Sequence, residues 1–508
     1  MAVIVVRGAI AAIAAAGLSA CTLGPDHKRP AVETPSVWAP SATDVASRIA
    51  AEPVRADWWR SFDDPILASL VDRLTARNID LQIAAETIEQ ARAQRRIAGA
   101  AGLPQVNAIG GYSRNRVSEN GMVQLLAPGS TGSNNQLPTG SAPLDFDLFN
   151  AAGTASWEID LFGRVRRSVE AAGADMVAAR EARSGVALAL VSELALDYME
   201  LRATQAQERL ARDNLAAAQE RETLVSQQVR AGAASRQDLT GAAAETQQAR
   251  GILPGLAAKQ AALINAIGYL LAEQPQALRA ELTAPAPAVT IPPTVPIGLS
   301  SDLILRRPDV REAEARLHAA TARIGVAEAA FYPSLTLFGL GGVQSLTGSN
   351  FFDWASRTFM VGPNIALPIF QGGKLKGQLQ LAQSQQRTAA LRFRAAVLQA
   401  WRDVDDSITS YVAAQRARTD AVAVDASRRQ SLVYARDQRA QGAVGDIAVI
   451  QARTAATASA DALVQADARV RASLVGVYKA LGGGWEPIVA AAPTPGATPV
   501  AQDPGSGK

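Results

Sequence analysis

Few residues in this chain have the type and spacing to do chemistry. Its 508 residues include two histidines, His27 and His318, and one cysteine, Cys21. A zinc centre asks for three or four His, Cys or carboxylate ligands, and a disulfide framework for several cysteines. His27 near Cys21 makes only two ligands, and His318 lies far along the chain. Neither a metal site, nor a disulfide framework, nor a Cys–His catalytic pair is predicted. No other nucleophile–base constellation is visible, so the chain reads as a non-enzyme without a cofactor. Lys and Arg total 50 against 47 Asp and Glu, for a net charge of +3, and the two signs are interleaved. The basic footprint of a nucleic-acid binder is therefore missing, and no nucleic acid is expected as a partner.

Cys21 is the one reactive residue whose surroundings specify a role. Residues 1–20 carry Arg7 near the start, followed by an apolar run from Ala9 to Leu18 that is too short to span a bilayer. The run ends in Leu18-Ser19-Ala20-Cys21, which resembles the lipobox of bacterial lipoproteins. That resemblance implies cleavage before Cys21 and acylation of its thiol by diacylglyceryl and palmitate-type chains. Each buried CH₂ contributes about 0.8 kcal/mol, so several chains on one residue hold firmly. Thr22 follows Cys21, where an aspartate would retain such a lipoprotein at the inner membrane, so outer-membrane delivery is expected. No later stretch offers ~20 uncharged apolar residues for a membrane helix.

The elements that position everything else are long helices. No proline lies between Pro143 and Pro254, or between Pro368 and Pro487, and Gln378 to Gln441 also lacks glycine. At 1.5 Å per residue those 64 positions make a helix of ~95 Å. Val397, Trp401, Val404, Ile408 and Tyr411 recur at helical spacing, as do Leu463, Val470, Leu474, Val477 and Leu481. Such narrow stripes flanked by Arg, Gln and Asp suit coiled-coil seams. Between about Gln237 and Leu271, Gly251, Pro254 and Gly255 predict a kink or break.

The chain also repeats itself. Asp80 to Pro104 matches Asp309 to Pro333, with Ala84, Ala91, Ala93 and Ala98 falling on Ala313, Ala320, Ala322 and Ala327. Gly110 matches Gly339, Phe162-Gly163 matches Phe370 with the glycines after it, and Gly232 matches Gly442. Each half reads helix, strand, loop, strand, long helix, turn, helix. Trp157, Ile159 and Leu161 alternate with Ser156, Glu158 and Asp160, and Leu335 and Leu337 with Ser334 and Thr336. Val361, Ile365, Leu367 and Ile369 alternate with Gly362, Asn364, Ala366 and Pro368. A period-two greasy face fits a half-buried sheet or a lipid-facing barrel wall. No apolar partner layer is evident for a half-buried sheet. Four strands cannot close a barrel with a lumen, so a barrel requires several chains to pool strands.

Several stretches together resemble the TolC-like outer-membrane factor family, in its OprM/NodT-type lipoprotein branch. They are the mature start from Cys21 to Pro30; Trp58-Trp59 with Phe62, Asp64-Pro65 and Leu67; and Ser156 to Arg164, containing Trp157, Phe162 and Gly163. They continue with Arg306-Arg307-Pro308-Asp309-Val310, Pro368-Ile369-Phe370 with Gly372-Gly373, and Leu481 to Trp485. The resemblance implies a mainly α fold with a small β part. Three chains would give four strands each to a twelve-stranded outer-membrane barrel on a long periplasmic coiled-coil tunnel. It also implies the outer-membrane duct of a tripartite efflux pump, with a homotrimer, a periplasmic adaptor, an inner-membrane transporter and outer-membrane lipid as partners. The energy input then belongs to the inner membrane. The motif residues read as structural: Arg306, Arg307 and Asp309 pin a helix start, Pro308 suits a first turn, and the glycines permit the strand-to-helix bends.

The resemblance places a periplasmic gate at the turns near Gly232 and Gly442. Arg439, Asp446, Ile447 and Gln451 are its candidate residues. Ile447 occupies the apolar gate position, but Gln451 stands where the family has an aspartate; either Asp446 takes over or closure uses other contacts. The expected divisions are a signal peptide (1–20), an anchor segment (21–65), a first repeat (66–281), a Pro-rich linker (282–300), a second repeat (301–484) and a disordered tail (485–508). The polar loop 118–141 is expected at the extracellular mouth. The rival reading is a lipid-anchored periplasmic coiled-coil scaffold without conductance, which leaves the period-two segments unexplained.

Overall fold

The computed structural model describes residues 22–31, 48–50, 55–116, 145–284, 290–292, 294–296, 306–486 and 488. Residues 1–21, the polar loop, most of the Pro-rich linker and nearly all of the tail lie outside them. A short strand, β1 (Arg48–Ala50), precedes a single turn of 3₁₀ helix at Trp58–Phe62 and helix α1 (Pro65–Arg77). The first half follows as α2 (Ile79–Ala100), β2 (Gln105–Arg116), β3 (Asp145–Ile159), α3 (Arg164–Arg230) and α4 (Arg236–Leu270). After α5 (Pro275–Thr283) and β4 (Thr294–Pro296), the second half runs α6 (Pro308–Ala329), β5 (Ser334–Ser345), β6 (Arg357–Ala366), α7 (Lys374–Ala440) and α8 (Asp446–Ala480). Corresponding helices have the same lengths in both halves: 22 residues for α2 and α6, 67 for α3 and α7, and 35 for α4 and α8. Sixty-seven residues give about 100 Å of helix.

The described chain forms two compact units. The first holds residues 92–175 and 317–388 with the amino-terminal segment to 28; the second holds 29–91, 176–316 and everything from 389. The first unit contains an antiparallel sheet in the order β2-β3-β5-β6, leaving β2 and β6 each with a free edge among the described residues. Residues opposite one another in register share a face. One face carries Val106, Tyr112, Phe149, Trp157, Ile159, Leu335, Leu337, Val343, Phe359, Val361 and Ile365. The other carries Gln105, Asn107, Asn150, Thr154, Ser156, Glu158, Thr336, Gln344 and Asn364, with Ile109, Phe146, Leu148, Phe338, Leu340 and Met360 among them. Much of the apolar face is open among the described residues: Val106, Tyr112, Phe359, Val361 and Ile365 are all exposed.

The strands stop sooner than their alternation predicts. Leu161, Leu367 and Ile369 fall beyond β3 and β6. Leu161 N–H turns back to Ile159 O at 2.9 Å, and Pro368 has no N–H to offer a ladder.

The second unit is a packed core. Trp58, Trp59, Phe62, Leu67, Leu70, Val71 and Leu74 are buried, as are Leu194, Tyr198, Leu474 and Tyr478. Asp64 caps α1 by accepting from Ile66 N and Leu67 N at 2.9 and 3.2 Å, while its other oxygen accepts from the Tyr198 hydroxyl at 2.7 Å. β1 and β4 form a parallel pair. The break expected at Pro254 is absent, and α4 runs through it. An interior proline costs about 3 kcal/mol, but packing of the flanking turns outweighs it. Thr246 and Ala249 are buried on one side of it, and Ile264, Ile267 and Leu270 on the other. No helix among the described residues is long and apolar enough to cross a membrane.

Candidate functional site

The chain has to turn from sheet to helix twice, and it does so differently. At the first junction Gly163 adopts φ +82°, a conformation a side chain disfavours. Across that bend Glu158 accepts from Arg164 at 2.9 and 2.5 Å, and Asp160 accepts from the Arg166 backbone at 2.9 Å. This accounts for the acid–Gly–base order of the Trp157–Arg166 stretch. Trp157 Nε1 donates to Gly102 O at 2.9 Å, and the Phe162 ring lies 4.9 Å from that of Tyr332. Thr22 sits against the bend: a Cβ on Gly163 would approach its Cγ2 to 2.6 Å. At the second junction Gly372 and Gly373 also take positive φ, +55° and +85°, but a Cβ built on either would meet no described atom beyond its chain neighbours within 4 Å. Ile369 and Phe370 there are 92% and 87% exposed.

Arg307 is the hub of the second unit. Its guanidinium donates to Asp309 at 3.0 and 2.7 Å, to Asp403 at 3.0 Å and to Ala480 O at 2.9 Å, while Pro308 is the first residue of α6. Burial works against its charge, but the two carboxylates outweigh it and hold the group protonated. Gly482 has φ +69°, and a Cβ on it would meet Arg307 Cγ at 2.9 Å. Trp58 Nε1 donates to Gly483 O at 3.1 Å, and its ring stacks on Tyr478 at 5.2 Å. Three motifs far apart in the chain thus meet at one place. Asp403 joins them from α7, and no local sequence signal marks it.

The two helix turns share a left-handed glycine, Gly232 at +72° and Gly442 at +75°. The first is closed by a capping box: Ser235 accepts from Asp238 N, and Asp238 accepts from Ser235 N. The second has Gly445 at the helix start without a side-chain cap. There the Arg439 guanidinium pairs with Asp446, one of its bonds measuring 3.1 Å. The pair holds the Asp446 carboxyl below its usual range and raises Arg439. Ile447 is half-buried and Gln451 exposed, whereas Ile450 is buried. The structure therefore brings Arg439 and Asp446 together, while Gln451 stays exposed. Cys21 lies outside the described residues.

The fold does bring the two histidines together. Their rings stack at 4.6 Å, and His318 Nε2 lies 2.8 Å from Glu170. Burial pushes Glu170 up, but the bonds from His318 and Arg167 hold it below its usual range. No group of three His, Cys, Asp or Glu residues that could hold a metal occurs among the described residues.

Comparison with known proteins places this geometry. The profile described as outer membrane efflux protein matches residues 70–271 and 299–483. The chain is 30% identical over 481 residues to the outer membrane protein OprJ of Pseudomonas aeruginosa, covering 94% of this chain and 96% of that one. It is 31% identical to the toluene efflux pump outer membrane protein TtgC of Pseudomonas putida, over 93% of this chain and 95% of that one. Among solved structures it is similar to the outer-membrane channel OprN, at 28% identity and a TM-score of 0.78, covering 92% of this chain and all of that one. The open-state MtrE channel of Neisseria gonorrhoeae gives 27% identity and a TM-score of 0.75, over 92% and 99% of the two chains.

Proposed function

This chain belongs to the outer membrane efflux protein family, and on that premise we propose that three copies pool their strands into one twelve-stranded barrel and their long helices into one tunnel. The protein is an outer-membrane component of an efflux system, and not an enzyme. The observation that supports the barrel is the sheet of the first unit. It has a largely exposed apolar face, a more polar opposite face and, among the described residues, a free edge at β2 and at β6. Lipid tolerates no open edge, and four strands enclose no hole. Joining β6 of one copy to β2 of the next removes every edge and turns the polar face inward.

The duct is passive. A periplasmic adaptor and an inner-membrane transporter are its partners, and the transporter supplies the energy. Acylation of Cys21 supplies the anchor. Thr22, the next residue, is packed at Gly163 where β3 hands over to α3. Arg439 and Asp446 hold the second turn shut. Edge pairing is tested with A108C on β2 and V361C on β6, in a C21S background that removes the only native thiol. A short thiol crosslinker is expected to yield dimers and trimers from the double variant and none from either single. Crosslinking confined within one chain contradicts the ring.

A further inference from the structure

The end of the sheet away from the helix junctions carries a surface that export does not use. The β5–β6 connection, residues 346–356, is aromatic where a water-facing loop would be polar. Phe352 is 88% exposed and Trp354 77%. The register shows which way this loop leans. Tyr112 and Phe149 stand on the apolar face, their rings 4.9 Å apart. The Phe351 ring lies 6.3 Å from Phe149, and Phe352 lies 5.0 Å from Phe351. The loop therefore packs onto the outside of the wall. Arg357 opens β6 on the same face, its guanidinium 3.3 Å from the centre of the Trp354 ring, with Phe359 two residues on and 83% exposed.

The charges at this rim are unevenly matched. Arg114, Arg116 and Arg357 all project from the apolar face. Arg114 lies 3.9 Å from Asp147 and Arg116 lies 3.4 Å from Asp145, so both have carboxylates of their own. Arg357 forms no ion pair with any acid among the described residues; its contact is the Trp354 ring. A guanidinium stacked by its face keeps its N–H edge free, and that fork matches phosphate.

We propose that Arg357, with Phe352, Trp354 and Phe359, forms a seat for a phosphorylated, multi-acylated lipid of the outer membrane surface. The guanidinium takes the phosphate, and the aromatic rings lie along the acyl chains at the interface, where such rings partition. The seat rests on the barrel reading, which makes this face the lipid-facing one.

The test follows Trp354 fluorescence, taken as the difference between the wild type and W354F, in phosphatidylcholine vesicles carrying chain-brominated phosphatidylcholine. Bromine is expected to quench the signal. Adding unbrominated lipid A is expected to relieve most of that quenching saturably, whereas dephosphorylated lipid A and inorganic phosphate are expected to leave it. R357Q is expected to remain quenched by the brominated lipid and to lose the relief, which separates loss of the seat from loss of the fold. Equal relief by dephosphorylated lipid A, or undiminished relief in R357Q, overturns the seat while leaving the barrel intact. Absence of quenching by any brominated lipid overturns the barrel reading and the seat with it.

Discussion

At the first strand-to-helix junction, Glu158 and Asp160 hold Arg164 and Arg166 across Gly163, and Thr22 fills the bend. At the second, a Cβ on Gly372 or Gly373 would stand in open space, and Ile369 and Phe370 are exposed. The turns repeat the contrast. Ser235 and Asp238 cap α4 from within one helix end, while α8 starts on an uncapped glycine steadied by an exposed ion pair. The skeleton is duplicated helix for helix, yet the first half satisfies its own joints and the second leaves its joints open. The open junction adjoins β6, the edge that a neighbouring copy would cover. The loosely held turn is the one the gate proposal needs to give way.

The largest effect that would break this comparison is at the bare junction. I369S with F370S removes exposed apolar surface that, on the trimer proposal, a second copy buries. Native mass spectrometry in mild detergent is expected to show trimer replaced by monomer. The matched change E158Q with R164Q at the self-satisfied junction is expected to keep the trimer. Equal behaviour of the two pairs would erase the distinction.

The carboxyl ends of α4 and α8 come next. Ala272 and Gly482 occupy equivalent positions, both with positive φ, +52° and +69°. G482A is expected to cost about 3 kcal/mol, because it combines left-handed strain with a Cβ driven into Arg307. A272G is expected to add about 1 kcal/mol by relieving that strain. Denaturant midpoints in detergent check both signs.

The gate effect is smaller. R439E puts like charges across the second turn and is expected to raise the fraction of time spent open, and so the mean current, about fivefold, whereas S235A at the first turn leaves it unchanged. The Asp446 carboxyl is held low. The pair's contribution is therefore intact above the ordinary carboxylate range and lost only as pH falls through the depressed value. Wild-type current is expected to be flat from pH 8 to about 5 and to rise only below about 4. A rise near pH 6 would assign the gate to another group.

Much of this was legible in the residues, for physical reasons. Proline-free, glycine-free stretches measure helices directly, and left-handed glycines at Gly232 and Gly442 mark their ends. Alternation marked the strands but overran them, because Leu161, Leu367 and Ile369 keep the pattern after the ladder has stopped. Pro254 does not end α4, since buried neighbours a turn or more away hold the helix through it. The partners of charged groups were hidden. Nothing local ties Asp403 to Arg307, or His27 to His318, and Arg439 meets Asp446 only once the turn at Gly442 has formed.

The central claim is that this sheet becomes the wall of a conducting pore. Single-channel recording of the purified trimer in a planar bilayer tests it most directly. Discrete current steps, lengthened in R439E, are predicted; a trimer that inserts and passes no current in either form would contradict the account.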